Sequence, residues 1–186
     1  FAAYGVSRWN FKGKSAFTTA VLSTQMFPGV LFLLPLFLIF SQVDLTDTFW
    51  SVFLPSIVSP FGVYLSRLFA ASSVPDEIIE AARIDGSGGV RTFFTVAVRL
   101  MSPALVTVFL FQFVGIWNNF FLPLMTINSA ELKPVTLGLY GMSTYFNPQY
   151  GALLQGALLG VIPLIVLFLG LQRFWQSGLA AGAVKG

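Results

Sequence analysis

Two long uncharged stretches near the start of this chain limit what it can fold into. Residues 16–40 and 48–66 contain no formal charge. An α-helix rises about 1.5 Å per residue, so each stretch can cross the roughly 30 Å of hydrocarbon in a lipid bilayer. Two further stretches of this kind follow, one within 100–130, with its span at about 103–125, and one at 151–171. The sequence therefore predicts four complete transmembrane helices.

The composition is that of a membrane protein. Hydrophobic residues make up 56% of the chain and charged residues only 9%. A soluble helical bundle would need a charged outer face on each helix, and these stretches have none. We also expect residues 1–7 to form the end of an apolar helix that begins before Phe1. The expected fold is all-α, a polytopic membrane helix bundle that forms a single domain over residues 1–186.

The basic residues predict the orientation of the helices. Lys and Arg are retained on the cytoplasmic side of a membrane during insertion, whereas acidic residues contribute little. If the loop before residue 16 is cytoplasmic, alternation of the spans places only Lys133 outside. The basic residues placed inside are Arg8, Lys12, Lys14, Arg67, Arg83, Arg91, Arg99, Arg173 and Lys185. This orientation predicts a cytoplasmic loop at 71–100 and a cytoplasmic C-terminal tail at 172–186.

Several classes of function are excluded by what the chain lacks. It has no Cys and no His, which removes disulfides, thiolate nucleophiles, His-dependent triads and the common zinc sites. Its acidic residues include no pair placed for acid–base catalysis within the membrane. The basic residues lie singly at the ends of stretches, so we expect no binding of nucleic acid. We expect neither an enzyme nor a metal site.

Prolines and small or polar residues within the predicted spans indicate helices that pack against one another. Each span contains proline, which removes a backbone donor and tends to kink a helix. The segment 156–160 has the small-xxx-small spacing through which membrane helices approach closely. Four amide side chains at membrane depth or near its edge either line a cavity or bond a neighbouring helix, and the second role is favoured. They are Gln112, Asn118, Asn119 and Gln155.

A charged segment between the second and third spans predicts a helix and a turn. Ser73 is expected to cap this helix, with Pro75 in its first turn and Asp76 in a capping-box arrangement. Gly86 is expected to end the helix at positive φ. Spacings of three and four place one set of residues on a common face whose two alanines would fit a tight groove. This set is Val74, Ile78, Ala81, Ala82 and Asp85, and Glu80 lies beside it.

A second amphipathic pattern follows this segment. Arg91 and Arg99 share one face, with Thr95 between them. The pattern is typical of a helix that lies among lipid headgroups with its arginines on phosphate. Its apolar positions are Val90, Phe93, Phe94, Ala97, Val98 and Met101.

Residues 80–86 read Glu-Ala-Ala-Arg-Ile-Asp-Gly, in a predicted cytoplasmic loop between the second and third complete spans. This segment resembles the EAA loop of bacterial ABC importer permeases, in the version found in the carbohydrate (maltose-type) family. The chain departs from that family at two places, because Val98-Arg99 stands where Leu-Pro is usual and Asn119 stands where Glu is common. Further stretches similar to the family are 25–30, 103–105, 117–120 and 178–186.

The resemblance implies a permease subunit with the type I ABC importer fold, in the bacterial inner membrane, that serves binding-protein-dependent sugar uptake. It implies as partners a second permease subunit, two ATPase subunits, an extracytoplasmic solute-binding protein and membrane lipid. ATP and Mg would bind to the ATPase, and this chain would bind no cofactor. The residues implied to couple ATPase closure to the spans are Glu80, Ala81, Ala82, Asp85 and Gly86.

The resemblance leaves some questions open. The tail either reaches the ATPase pair, through Gly182 and Lys185, or is a frayed end with Lys185 at the headgroups. A permease of the same class could carry a solute other than sugar, although the sequence Ala-Arg-Ile-Asp-Gly at 82–86 and the sequence of the tail favour carbohydrate. A passive channel would also need kinked spans with polar linings, but it would have no use for a coupling segment.

Overall fold

The computed structural model of the chain describes residues 1–143 and 149–183, and all regular secondary structure in these residues is helical. A π-helix covers Phe93–Ala97, and two 3-10 helices cover Gly29–Phe32 and Ala130–Leu132. The predicted all-α class is therefore confirmed. The α-helices are α1 (Ala2–Arg8), α2 (Lys14–Thr24), α3 (Leu33–Gln42), α4 (Phe49–Ile57), α5 (Pro60–Ser73), α6 (Asp76–Ile84), α7 (Gly89–Thr92), α8 (Val98–Leu100), α9 (Ser102–Trp117), α10 (Phe121–Thr126), α11 (Val135–Met142) and α12 (Tyr150–Ala183).

Two helical stretches in the described residues are long and apolar enough to cross a membrane, at Phe49–Ser73 and Tyr150–Gln172. Two pairs of helices, each interrupted by a bend, are also long and apolar enough if each pair is counted as one span. The first pair is α2 with Gly29–Gln42, and the second is Gly89–Leu100 with α9. The four predicted spans correspond to these regions. Only the fourth lies within a single α-helix.

Proline and asparagine explain where the predicted spans are interrupted. The first predicted span, 16–40, is broken after Thr24, because Pro28 lacks an N–H group and disfavours helical geometry in the residue before it. The second is broken at Val58, which is extended two residues before Pro60. The third ends at Trp117 and not near 125. Beyond Trp117 the Asn118 side chain also bonds the Val114 carbonyl at 2.9 Å, and the Asn119 N–H donates to the Ile116 carbonyl three residues back at 3.1 Å, which ends the α-helical pattern.

The chain divides into two compact units. The first contains Phe1–Met26, Pro60–Phe111 and the chain from Gly170 onward. In this unit the ring of Tyr4, from α1, lies 5.2 Å from the ring of Phe93, measured between centroids. Both rings belong to a buried cluster that unites α1, α5, α6 and the π-helix, which we call the first-unit core. Its members are Tyr4, Ala70, Val74, Ile79, Phe93, Ala97 and Met101.

The second unit contains Phe27–Ser59 and Gln112–Leu169. It includes α11, a helix between the third and fourth predicted spans. The small-xxx-small segment of α12 faces this helix, since a Cβ at Gly156 would lie 2.6 Å from Leu139 Cδ2 and one at Gly160 would lie 3.0 Å from Val135 Cγ1. The predicted close approach of two helices through these glycines is therefore present.

We expect Gly156→Val to lower the melting temperature of the detergent-solubilised protein. The added side chain must displace the terminal methyl of Leu139, and since that methyl can rotate, the cost is at the lower end of overpacking, about 1 kcal/mol. Gly170→Val is the matched control, because it makes the same change of helix propensity in α12 where a Cβ would meet nothing within 4 Å. Equal melting temperatures for the two variants would contradict close packing at Gly156.

Candidate functional site

The segment that follows α5 folds into the short helix α6, whose ends carry charges suited to the helix dipole. Asp76 and Glu77 lie in the first turn and Arg83 in the last, where negative and positive charges respectively are stabilised. The predicted cap is wrong, because Ser73 is the last residue of α5 and Pro75 occupies the N-cap position, with φ −63°. No side chain caps α6. Instead, the extended backbone of Pro75 fixes the direction in which the chain enters the helix.

Gly86 ends α6 as the sequence predicts. Its φ is 76°, in the left-handed region. The Gly86 N–H donates to the Arg83 carbonyl at 3.0 Å, and the Ser87 N–H donates to the Ala82 carbonyl at 2.8 Å. These two bonds form a Schellman motif, which satisfies carbonyls left free at a helix end. The turn that follows α6 is thus held by the backbone of the segment itself.

One face of α6 is buried and the opposite face is free. Ile79 is buried in the first-unit core, while Ala82 is half-buried at the boundary. Of the predicted coupling residues, Glu80, Ala81, Asp85 and Gly86 are exposed. The predicted small face exists, and the exposed Ile78 shares it with Ala81, Ala82 and Asp85. Val74 was wrongly included, because it precedes α6 and is 1% exposed within the core.

The second amphipathic pattern forms a helix with a widened turn. Its cationic face is exposed at Arg91, Thr95 and Arg99, as predicted. Of the predicted apolar positions, Phe93, Ala97 and Met101 are buried in the first-unit core, whereas Val90 and Phe94 are exposed. The widened turn is the π-helix at Phe93–Ala97, which adds one residue to that turn. Contact of this helix with lipid headgroups stays a prediction.

The departure at Val98-Arg99 leaves the helix continuous at that point. With Arg99 where proline is usual, α8 runs through Val98–Leu100 and the break falls at Met101. Gly89–Leu100 and α9 meet there at a bend of 79°. The chain therefore turns shortly after the position at which a proline would have broken it.

Arg8, which sequence reasoning did not select, ties α1 to this segment. Its Nη1 pairs with Asp76 Oδ1 in the first turn of α6, and its Nη2 donates to the Ala70 carbonyl of α5 at 3.2 Å. The Arg8 side chain is 14% exposed and that of Asp76 is 80% exposed. A cleft of about 170 Å³ next to the pair is also lined by Glu80 and Arg83. Three helices thus meet at one guanidinium group.

The predicted pathway amides have different surroundings. The Gln112 amide donates to the Ser56 carbonyl of α4 at 3.3 Å, which is a bond between helices. The Asn118 side chain bonds the Val114 carbonyl of the preceding helix α9. At Asn119 it is the backbone carbonyl, and not the side-chain amide, that accepts a hydrogen bond from the Thr136 hydroxyl at 2.9 Å. Gln155 is exposed on α12. The structure does not bring the four amides together, and their role in a pathway stays a prediction.

The predicted tail is a continuation of α12. Its backbone is helical through Gly182 to Ala183. Lys185 lies outside the described residues.

At another point in the second unit, Asp47 joins two loops. Its Oδ1 accepts hydrogen bonds from the N–H groups of Asn128 and Ser129, each at 2.8 Å, and its Oδ2 accepts one from the Ser129 hydroxyl at 2.5 Å. The Asp47 N–H donates to the Thr126 carbonyl at 2.7 Å. The hydrogen bond from the Ser129 hydroxyl, followed by the two from backbone N–H groups, holds the pKa of Asp47 below its ordinary value.

We expect Asp47→Asn to lower the melting temperature near neutral pH. Because the folded-state pKa is depressed, the ionised carboxylate contributes stability above the unfolded-state pKa, near ~4, and loses it as the pH falls through the folded-state pKa. The difference between variant and parent should therefore vanish in acid. Asp44→Asn is the control, since Asp44 shares the loop and a positive φ but makes no side-chain hydrogen bond within the described residues. A difference that persists unchanged in acid would contradict this account.

Comparison with known proteins identifies the family of the chain. The family model described as "Binding-protein-dependent transport system inner membrane component" matches residues 1–179. The arabinooligosaccharides transport system permease protein AraQ of Halalkalibacterium halodurans is 35% identical over 183 residues, which cover 98% of this chain and 65% of that protein. The lactose transport system permease protein LacG of Rhizobium radiobacter is 30% identical, over 99% of this chain and 67% of that protein.

A solved structure shares the fold. The crystal structure of a bacterial ABC transporter involved in the import of the acidic polysaccharide alginate matches with a TM-score of 0.78 and 24% identity, over 93% of this chain and 66% of that one. The chain spans 65% of the length of AraQ. With the family model matched over nearly the whole chain, this protein belongs to the family of binding-protein-dependent transport system inner membrane components.

Proposed function

We propose that this chain is the transmembrane permease subunit of an ATP-driven, binding-protein-dependent importer of sugars. Membership of the family supports a transport permease, and the names of AraQ and LacG support a carbohydrate as the solute. The observation that carries the mechanism is the position of α6, which is exposed on one face and fixed on the other to the first-unit core. A helix placed in this way can transmit the movement of a partner subunit to the membrane helices.

In this proposal α6 is the coupling helix. The small face, with Ile78, Ala81 and Asp85 exposed and Ala82 half-buried, seats in a groove of an ATPase subunit. Glu80 lies beside this face, and Gly86 fixes the angle of the following turn. Because Ile79 packs in the first-unit core, closure of the ATPase pair moves the core helices with α6. Movement of packed helices around a fixed site gives alternating access.

The remaining components belong to partners. ATP and Mg bind in the two ATPase subunits and not in this chain, a second permease completes the pathway, and a solute-binding protein delivers the sugar from outside. The positive-inside pattern supports a multi-pass inner-membrane protein with α6 and the C-terminus in the cytoplasm. The tail, with Gly182 and Lys185, is proposed to reach the ATPase pair. The helical continuation of α12 through Gly182 is compatible with that contact.

Reconstitution tests this function. The full-length protein is placed in liposomes with its partner subunits, and uptake of a labelled oligosaccharide is measured with and without ATP on the cytoplasmic side and binding protein on the other. We expect uptake only when both are present. Uptake that needs neither would indicate a passive channel. The solute class is checked by asking whether sugars, and not amino acids or phosphate, raise the melting temperature of the solute-binding protein that supports uptake in this system.

A further inference from the structure

An open cavity in the first unit gathers cations and hydroxyl groups at the start of α2. Its volume is about 440 Å³, and its lining contains no carboxylate. Gly13, with φ 92°, turns the chain into α2, so that Lys14 and the first turns of this helix face α5 across the cavity. The lining residues are Asn10, Phe11, Lys14, Ser15, Thr18, Thr19 and Arg67.

The two cations of this cavity lack a counter-charge in the structure. Lys14 Nζ reaches only neutral oxygens, the Ser7 carbonyl and Asn10 Oδ1, each at 3.4 Å. Arg67 makes no hydrogen bond or ion pair within residues 1–143 and 149–183. The contrast with Arg8 is direct, because that arginine faces a carboxylate. Two positive charges that converge on one space without an anion form a site for a negatively charged ligand.

The hydroxyl groups fit the oxygens of a phosphate. The Thr18 hydroxyl donates to the Lys14 carbonyl of its own helix at 2.9 Å and can only accept from a ligand. The hydroxyls of Ser15 and Thr19 have no partner in the described part of the chain, so both can donate. Together with Lys14 and Arg67 they supply donors for several acceptor oxygens on one group.

The apolar surroundings point to a phosphate that carries acyl chains. Phe11 is part of the cavity wall, and Phe17 and Leu68 lie next to lining residues in α2 and α5. All three side chains are more than two-fifths exposed. Both helices belong to stretches that can cross a membrane. The cavity therefore opens where a lipid headgroup region would meet hydrocarbon.

We propose that this cavity binds the phosphate of an anionic phospholipid, with phosphatidylglycerol as the probe ligand. The phosphodiester takes the charges of Lys14 and Arg67, the glycerol headgroup meets the hydroxyls, and the acyl chains run along the exposed apolar residues. Phosphatidylethanolamine shares the phosphate but carries an ammonium group that the two cations repel. The ligand chemistry thus distinguishes anionic from zwitterionic lipid.

Native mass spectrometry of the full-length protein in detergent tests the site. The protein is titrated with phosphatidylglycerol and with phosphatidylethanolamine of the same acyl chains. We expect tighter binding of phosphatidylglycerol, and we expect the double variant K14Q/R67Q to weaken it about tenfold or more, since it removes two charge-assisted contacts. Lys12→Gln is the matched control, because it removes a nearby exposed charge that does not line the cavity, and it should change the affinity less than twofold, roughly the effect of a solvent-screened charge.

Three outcomes would overturn the proposal. The first is equal affinity for the two lipids, and the second is an equal loss of phosphatidylglycerol affinity in Lys12→Gln and K14Q/R67Q. The third is binding of inorganic phosphate as tight as that of phosphatidylglycerol, which would assign the site to free phosphate. The charge-conserving variant K14R/R67K should retain binding, so a folding defect of K14Q/R67Q leaves the test intact. The measurement needs neither ATPase nor transport, so its result is independent of the proposed function.

Discussion

Replacing Gly86 by valine is expected to reduce ATP-driven uptake about tenfold or more, while the amount of protein inserted in the membrane stays unchanged. Gly86 has φ 76°, a conformation that costs a residue with a side chain roughly 1–2 kcal/mol. A Cβ there would meet nothing within 4 Å, so the cost is conformational and not a clash. About 1.4 kcal/mol corresponds to a tenfold change. The turn after α6 should therefore relax and shift the exposed face relative to its partner.

Two variants make the Gly86 test specific. Gly86→Asn should retain more uptake than Gly86→Val, because asparagine tolerates the left-handed region. Gly88→Val is the positional control, since Gly88 has φ −69° and ψ 156°, which any residue adopts. Uptake per inserted protein is compared in the reconstituted system. Equal losses at Gly86 and Gly88 would count against a role for the left-handed turn.

Breaking the Arg8–Asp76 pair is expected to separate ATP hydrolysis from uptake. Because Asp76 is largely exposed, the pair adds only about 0–1 kcal/mol to stability, so folding should survive. The guanidinium nevertheless joins α1 to α5 and α6, and Arg8→Ala removes both contacts. We expect at least a fivefold fall in sugar transported per ATP, roughly 1 kcal/mol of lost coupling.

The controls separate this tie from general effects of charge. Asp76→Asn should reduce the amount of sugar transported per ATP, whereas Glu77→Gln should not. Glu77 shares the first turn of α6 but has no ion pair among the described residues. The reversed pair, Arg8→Asp with Asp76→Arg, should restore part of the sugar transport per ATP. A spin label on Cys introduced at Ala81, with residues 1–186 contributing no other Cys, reports the mobility of α6 without any ATPase. Unchanged mobility of α6 in Arg8→Ala would contradict the proposed role of Arg8 in fixing α6 to α1.

Local patterns predicted the parts of this structure that depend on local physics. The apolar stretches, the turn at Gly86 and the close approach at Gly156 each follow from a few neighbouring residues. The Arg8–Asp76 pair joins residues 68 positions apart, and no periodicity in either segment indicates such a contact. Ser73 does not cap α6, because α5 runs through Ser73 and Pro75 occupies the N-cap position. The wide turn at Phe93–Ala97 was likewise not predicted, because a strict helical repeat cannot represent a π-helix.

The π-helix at Phe93–Ala97 also accommodates one extra residue without rotating the helix that follows it. Each residue of a regular α-helix advances the chain by about 100° around its axis, and the wide turn absorbs one such step. A one-residue deletion within it would leave an ordinary helix whose downstream portion keeps its orientation, whereas tightening of the wide turn without a deletion would rotate that portion by about that angle. The orientation of Val98–Leu100 thus depends on whether this turn is wide or tight, even if every side chain keeps its chemical type.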